Sequence, residues 1–368
     1  MKVLYQARPD LYSSPGGDTT QIIQTKTAVE KHGIKIDISF DPNVKLSGYD
    51  LVHTFNLTRP QEPFYFAMNA RRQNKPVVLS TIYWDLKESR RYEAQFSKKK
   101  RLLGNIILNE DIKSRIQYVR DLITLQNPGE YLKTQRKMGF KKQQKALLLL
   151  SSMILPNSFS EKRLIEDNFG FTMLASIIPN GVDDSFDSEV DKEFVPPYGK
   201  DEYVLSVAHL SARKNQIALI TACADLGYPL IIIGRANEVE RSYTQKCLDL
   251  MKKNKFIYIN GLDRGKLWAF YRHAKVHALV SWVETPGLSS LEAGVCGCNI
   301  VTTKIGGTGE YFEDMAWYCD PGNQGSIKES LNSAYKTPKN EKLSFHIKQK
   351  FTWDQAAKET ISAYMKLL

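Results

Sequence analysis

Short runs of aliphatic and β-branched residues alternate along the chain with longer stretches whose apolar positions recur every three to four residues. That alternation predicts α/β architecture with parallel sheets. In the first half the runs Lys2–Gln6, Lys35–Ser39, Leu51–Phe55 and Val77–Thr81 read as strands. A break at Ser14-Pro15-Gly16-Gly17 precedes Asp18-Thr19-Thr20-Gln21, which has the composition of a capped helix start, and that helix stops near Gly33. The apolar run Leu147–Ile154 reads as a buried strand, Ser158 caps a helix running to about Phe169, and Ser176–Pro179 reads as another strand. A polar stretch, Asp183–Lys200, contains Pro196-Pro197 and reads as a linker.

The alternation then restarts. Strands are expected at Tyr203–Val207, Leu230–Ile233, Phe256–Ile259, Val276–Val280 and Ile300–Thr303. Helices are expected at Asn215–Leu226, Glu240–Lys253, Arg264–His273, Leu288–Cys296 and Ser326–Tyr335, and Thr352 is placed to cap a last one. The chain therefore reads as two similar α/β halves, residues 1–190 and 191–351. Ligands of such sheets bind beyond the carboxyl ends of the strands, and two facing sheets make a deep cleft.

Composition narrows the class. The 368 residues are 42% hydrophobic and 25% charged, which is ordinary globular usage and excludes disordered and fibrous classes. No apolar stretch reaches the roughly 18 residues of a membrane span, and the start of the chain lacks the apolar core of a secretory signal. Five scattered cysteines fit a reducing, cytoplasmic setting. The net charge of +11 suggests an acidic partner. About +10 of it lies between Lys87 and Lys145, densest at Lys98-Lys99-Lys100-Arg101.

Four segments carry candidate chemistry. Trp282-Val283-Glu284-Thr285-Pro286-Gly287-Leu288-Ser289 follows a strand and opens a helix that contains Glu292. Pro286 suits an early helical position, Gly287 admits close backbone approach, and the unpaired amides with the helix dipole favour an anion. Glu284, before the helix, and Glu292, inside it, address different parts of one ligand; otherwise Glu284 is simply solvated and Glu292 belongs to an ordinary surface helix. His209, Arg213 and Lys214 lie between a strand and a helix, where cations neutralise a leaving phosphate or simply form a basic turn. Pro15-Gly16-Gly17-Asp18 reads as a phosphate cradle or a plain turn, and Gly306-Gly307-Thr308-Gly309-Glu310 as a flexible loop. His53 ends an apolar strand, a place that suits either a structural or a functional imidazole. No Gly-x-Ser-x-Gly elbow, His-Glu-x-x-His or Asp-x-Asp pair occurs, and Cys296-x-Cys298 lacks the partners of a zinc site, so no metal and no cofactor is expected.

In their order along nearly the whole chain, these motifs resemble glycosyltransferase family 4, retaining enzymes of the GT-B fold. The resemblance rests on Gly16-Gly17, Asp50-Leu51-Val52-His53, Leu155-Pro156-Asn157-Ser158, Ile178-Pro179-Asn180-Gly181-Val182-Asp183, Lys214-Asn215, Gly234, Gly261, Glu284-x7-Glu292 and Gly306-Gly307-x-x-Glu310. It implies two Rossmann-like domains facing across a deep cleft, an acceptor-side domain 1–190 and a donor domain 191–351, with the Trp353 helix (352–368) crossing back to the first. It also implies roles. Lys214 binds the donor diphosphate, Glu284 holds the donor sugar, and Pro286, Gly287, Leu288 and Ser289 contact sugar and phosphate. Glu292 takes the ribose hydroxyls, and Gly16 and Gly17 flank phosphate and acceptor. Gly234 belongs to the donor side, and His53, Tyr83 and Trp84 to the acceptor side. Three positions depart from the family pattern. His209 replaces an arginine, leaving Arg213 as a candidate substitute; Ser80-Thr81-Ile82-Tyr83-Trp84-Asp85 lacks the usual histidine; and Thr285-Pro286 replaces Gly-Phe.

The reaction so implied moves a hexose from a nucleotide-diphosphate sugar to a hydroxyl of a glycan or lipid-linked acceptor, without a metal, in bacterial surface polysaccharide or glycolipid synthesis. Residues 87–145 interleave cations with Ile112, Ile116, Val119, Leu122 and Ile123, so they are a candidate contact with an anionic membrane surface on the cytoplasmic side, or a face packed into the domain. The alternatives are a sugar-nucleotide epimerase of the same fold, disfavoured by the paired glutamates, and a basic nucleic-acid-binding protein. The latter is disfavoured by the lack of a reader motif, so nucleic acid is not an expected partner.

Overall fold

A computed structural model of the chain describes residues 1–96, 112, 137–183, 195, 197–200 and 202–368. Its described residues fall into two units: Met1–Trp84, Leu103–Asn180 and Trp353–Leu368 in the first, Asp85–Leu102 and Gly181–Thr352 in the second.

The first unit carries β1 (Lys2–Gln6), α1 (Gly17–Lys31), β2 (Lys35–Ser39), β3 (Leu51–Phe55), α2 (Gln61–Arg72) and β4 (Val77–Ser80). The helix α3 (Lys87–Ala94) belongs to the second unit; α4 (Phe140–Leu150), β5 (Met153–Leu155) and α5 (Phe159–Phe169) return to the first. The strands form a wholly parallel sheet, β2-β1-β3-β4-β5. Every residue of β3 and β4 is buried, as a parallel sheet covered by helices on both faces requires. Ser158 caps α5 as expected, its hydroxyl accepting from the Glu161 amide at 3.1 Å.

Two expectations fail here. Leu147–Ile154 is not one strand: its first four residues end α4, and only Met153–Leu155 pair with β4. Leu147 and Leu148 are both buried while Leu149 is 64% exposed. Adjacent residues on one face are a helical pattern, since in a strand Leu147 and Leu149 would share a side. Ser176–Pro179 forms no strand either; it follows an isolated bridge between Ile154 and Ala175, with Ser176 donating to Ile154 and Ile178 to Pro156 before the proline ends the run.

The second unit contains β6 (Val204–Val207), a 3-10 turn (Ala212–Lys214), α6 (Gln216–Leu226), β7 (Leu230–Ile233), α7 (Arg241–Lys253), β8 (Ile257–Ile259) and α8 (Arg264–His273). It continues with β9 (Val276–Leu279), α9 (Leu288–Val295), β10 (Asn299–Thr303), α10 (Thr308–Phe312), β11 (Trp317–Cys319), α11 (Gln324–Lys336) and α12 (Lys342–Lys350). The sheet order is β11-β10-β9-β6-β7-β8, again all parallel. The loop expected at Gly306–Glu310 is a turn that opens directly into α10. Helix α3 lies against the 3-10 turn, with Tyr92 and Trp282 ring centroids 5.1 Å apart and Phe96 edge-on to Tyr243 at 4.9 Å.

The last helix, α13 (Trp353–Met365), packs along α1 in the first unit, and its Tyr364 hydroxyl lies 3.0 Å from that of Tyr5. Most of the basic segment lies outside the described residues, including Lys98-Lys99-Lys100-Arg101 and the apolar set Ile116–Ile123, as does most of the linker 183–200. No helix among the described residues is long and apolar enough to cross a membrane.

Candidate functional site

Neighbouring strands β6 and β9 of the second unit send their exit loops off the same edge of the sheet. These loops are stitched to one another. The Trp282 amide donates to the Arg213 carbonyl at 2.9 Å, and Arg213 Nη1 donates to the Val283 carbonyl at 3.3 Å. Asn215 closes the 3-10 turn at φ 58°, a left-handed conformation that asparagine tolerates better than most residues. Its buried Nδ2 donates to the carbonyls of Val280 (3.1 Å) and Pro321 (2.9 Å). The turn is thereby fixed, and it aims Lys214 Nζ at Glu284 Oε1, 2.5 Å away.

That ion pair is buried. Glu284 is 4% exposed, and the Lys214 side chain is also largely covered. Burial alone raises the Glu284 carboxyl, but the cations of Lys214 and Arg213 outweigh it and hold the group below its ordinary value. It is therefore ionised at neutral pH. Its backbone is clamped by the loop after β10: Glu284 N donates to Ile305 O (3.1 Å) and Gly307 N to Glu284 O (3.0 Å). A side chain at Gly306 would place Cβ 1.8 Å from the Glu284 carbonyl oxygen.

Three residues further on, Gly287 at φ 69° opens α9 and accepts from the Ser290 and Leu291 amides. The amides of Leu288 and Ser289 have no carbonyl one turn earlier to donate to, and the helix dipole adds positive potential there. Pro286 and Gly287 are buried, and Leu288 and Ser289 half-buried. Beneath it, His277 of β9 places Nδ1 3.3 Å from the Ser290 hydroxyl. Within α9, Glu292 is half-buried and its Oε2 accepts from the Tyr271 hydroxyl at 3.0 Å. Gly234, at the end of β7, packs so tightly on the loop after β6 that a Cβ would lie 1.9 Å from the Ala208 carbonyl. His209 stands exposed on that loop.

In the first unit, the glycine turn is built on Arg8. Its guanidinium donates to Asp18 (2.8 Å), the Asp10 (2.9 Å) and Ser14 (2.7 Å) carbonyls and the Thr19 hydroxyl (3.0 Å). Gly17 has nothing within 4 Å of where a Cβ would be, and neither glycine has positive φ. The fold does not demand glycine at position 17, and its missing side chain leaves the start of α1 open.

His53 is corrected by the structure. It is 1% exposed in β3, with Nδ1 2.6 Å from the Tyr364 hydroxyl and Nε2 2.9 Å from Ser80 Oγ, and it stacks on Phe55. It is a core histidine, closed off from any acceptor. Tyr83 is half-buried, its amide donating to Glu161 at 2.8 Å and its hydroxyl accepting from Asn168 at 3.1 Å. The buried Trp84 Nε1 has no hydrogen-bond partner among the described residues. Between β4 and Tyr83, Ile82 sits at φ 43°, a strained value for a β-branched residue.

Burial pushes both His53 and His277 down to about 3, against which the nearby Glu284 raises His277 only in part. The unfolded chain takes up these protons below about pH 6.5, whereas the native state refuses them until about pH 3, so stability falls as pH drops through that window. At pH 5 each unit should lose about 2 kcal/mol relative to pH 7.5 through its own histidine. Urea midpoints at the two pH values check this, and His53→Leu should flatten the profile of the first unit alone. Among the described residues, no three His, Cys, Asp or Glu side chains cluster as a metal site.

Two wholly parallel sheets in Rossmann-like units are the fold this chain shares with solved GT-B structures. Residues 187–350, somewhat under half of the chain, match the family model for glycosyl transferases group 1. Among curated proteins, a probable sucrose-phosphate synthase of Thermosipho melanesiensis is 25% identical over 248 residues, covering 61% of this chain and 56% of that protein. The chain spans about half the length of the curated relatives it matches. Among solved structures, the sucrose-phosphate synthase of Thermosynechococcus elongatus superposes with a TM-score of 0.71 at 16% identity, covering 100% of this chain and 98% of that one. Anabaena HepE, solved with UDP and glucose, gives 0.66 at 16% identity over 100% of both chains.

Proposed function

We propose that this protein is a retaining, metal-independent hexosyltransferase of the family 4 type, moving a sugar from a nucleoside-diphosphate sugar to a hydroxyl of a glycan or lipid-linked acceptor. The observation that carries the reading is the buried Lys214–Glu284 pair beside the start of α9. Each charge neutralises the other in this pair. A diphosphate is the stronger partner for the ammonium, and the amides of Leu288 and Ser289 complete its cradle. Glu284, once its lysine has turned to phosphate, accepts hydrogen bonds from the hydroxyls of the sugar. Arg213 adds a second cation, and His209 a third when protonated.

The bond from the anomeric carbon to the diphosphate oxygen breaks, and its electron pair leaves on the phosphate. The acceptor oxygen attacks the resulting oxocarbenium-like centre on the same face, and the acceptor proton passes to the departing phosphate oxygen. The protein's part is to stabilise the leaving charge electrostatically, so no side-chain nucleophile is required. Glu292 binds the ribose hydroxyls. The open glycine turn after β1, with Tyr83 and Trp84, serves the phosphate and acceptor in the first unit. HepE was solved with UDP and glucose, which makes UDP-glucose the first donor to try.

Calorimetry and thermal unfolding with UDP, GDP, ADP and dTDP and their sugars test the reading. The matching nucleotide at 100 times its Kd should raise stability by about 2.7 kcal/mol. Proton NMR of the product should show the donor's anomeric configuration kept, with turnover unchanged by EDTA. A protein that binds none of these nucleotides is not this enzyme.

A further inference from the structure

Helix α9 carries the glutamate assigned above to the ribose, and that glutamate is held from the neighbouring helix. Tyr271, on α8, is 0% exposed. Its ring is packed edge-on against Trp268 (centroids 5.8 Å apart) and His277 (5.7 Å), and its carbonyl accepts from Cys298 Sγ and the Ala274 amide. Everything about the ring is fixed by packing. Its hydroxyl donates to Glu292 Oε2 at 3.0 Å.

A glutamate has three side-chain torsions, and holding them still costs entropy when a ligand arrives. A phenol held rigidly in the core can meet that cost before the ligand comes. One carboxylate oxygen accepts the Tyr271 proton, and a carboxylate retains acceptor capacity beyond a single donor. Two vicinal hydroxyls then find an acceptor already oriented. Burial, and after it the Glu292 charge, raise the phenol well above its ordinary value, so it remains a donor across the working pH range.

We infer that Tyr271 is a positioning residue for nucleotide recognition: its hydroxyl pre-orients Glu292 toward the 2′- and 3′-hydroxyls of the donor's ribose, and so sets the discrimination between ribonucleotides and their deoxy counterparts. The inference rests on the donor reading proposed above and adds to it a residue that touches no ligand.

The test is calorimetric titration of the full chain with UDP and with 2′,3′-dideoxyuridine 5′-diphosphate, for the wild type, Tyr271→Phe, Glu292→Ala and the double variant. If the wild type prefers ADP or GDP, the matching dideoxy nucleotide is used. Tyr271→Phe should weaken UDP binding about 5- to 10-fold and leave the dideoxy nucleotide within about two-fold. In the Glu292→Ala background the same substitution should have no further effect. An equal loss on both nucleotides, which a merely structural role produces, overturns the inference, as does additivity of the two substitutions or an unchanged UDP affinity. A wild-type protein that binds no nucleoside diphosphate overturns the donor reading and this inference with it.

Discussion

Lys214→Met should unfold the second unit of the ligand-free protein about 3–5 kcal/mol more easily at pH 7.5 and lower sugar transfer by on the order of 10²–10³. The two effects have separate causes. The stability loss arises because Glu284 is 4% exposed and its lysine is 2.5 Å away. Removing the ammonium leaves a charge in the interior with Arg213 as its remaining nearby cation. Burial then dominates, and the carboxyl that Lys214 had held low swings upward. In the wild type, a carboxyl lowered by folding contributes stability that is present above its unfolded value near 4.5 and lost as pH falls through the native one. In Lys214→Met the sign reverses: the raised carboxyl costs stability at neutral pH and ceases to cost it once protonated. The gap between variant and wild type should therefore narrow from pH 7.5 to pH 4.5. Replacing both partners by apolar residues, Lys214→Met with Glu284→Leu, should restore most of the stability and none of the activity. Urea unfolding followed by the second unit's own transition reads the first effect, and nucleoside diphosphate release from the donor reads the second. A single variant as stable as the wild type at neutral pH would show that the pair is not formed in solution.

The ion pair also marks how far the sequence could be read. Its members are 70 residues apart, and the order of motifs placed both after strands of the same half. Neither spacing nor resemblance indicates that they bond to each other; the resemblance implies a different part of the ligand for each. The central strands were legible for a simple reason. Leu230–Ile233 is buried throughout, and a strand covered on both faces must be written as an unbroken aliphatic run. Helix α8 lies where it was expected, at Arg264–His273, and Asp263 caps it by accepting from the Lys266 amide. Leu147–Ile154 misled because four consecutive leucines satisfy a strand and a helix equally, and only the partners of each leucine decide. Helix α2 went unread although Phe64, Ala67 and Ala70 share its buried face, because its cap position is Pro60 and no side chain announces its start.

The first unit shows the same limit in its polar core. His53 carried a chemical signal, an imidazole at a strand end, that its surroundings cancel: Tyr364 and Ser80 occupy both ring nitrogens. Tyr364 lies 311 residues away, on a helix whose return to this unit is a tertiary event. Arg8 and Tyr271 carry no motif at all, and Glu161 only that of a helix start, Ser158-x-x-Glu161. Each acts by holding another residue or turn in place. The common feature is that positioning residues are recognisable from their partners, and partners distant in sequence are what a single sequence conceals.

Two glycines separate what the fold needs from what the proposed chemistry needs. Gly306→Ala should cost about 3 kcal/mol and reduce turnover by on the order of 10² or more. The methyl group would lie 1.8 Å from the Glu284 carbonyl oxygen, at a residue whose φ of 120° side chains rarely adopt. The loop must move away from Glu284, and the hydrogen bonds from Glu284 N to Ile305 O and from Gly307 N to Glu284 O move with it. Stability and catalysis fall together because the same backbone serves both. Gly17→Ala is the contrast. It is the first residue of α1, nothing lies within 4 Å of the new methyl group, and alanine is the better helix former, so stability should be unchanged or slightly raised. If the open turn receives phosphate and acceptor, that same methyl group stands in their path, and transfer should fall 10-fold or more with the Tm intact. Thermal unfolding and turnover measured on both variants give the answer. A Gly17→Ala protein with full transfer would remove the glycine turn from the site, whereas a Gly306→Ala protein with wild-type stability would mean that the loop does not clamp Glu284.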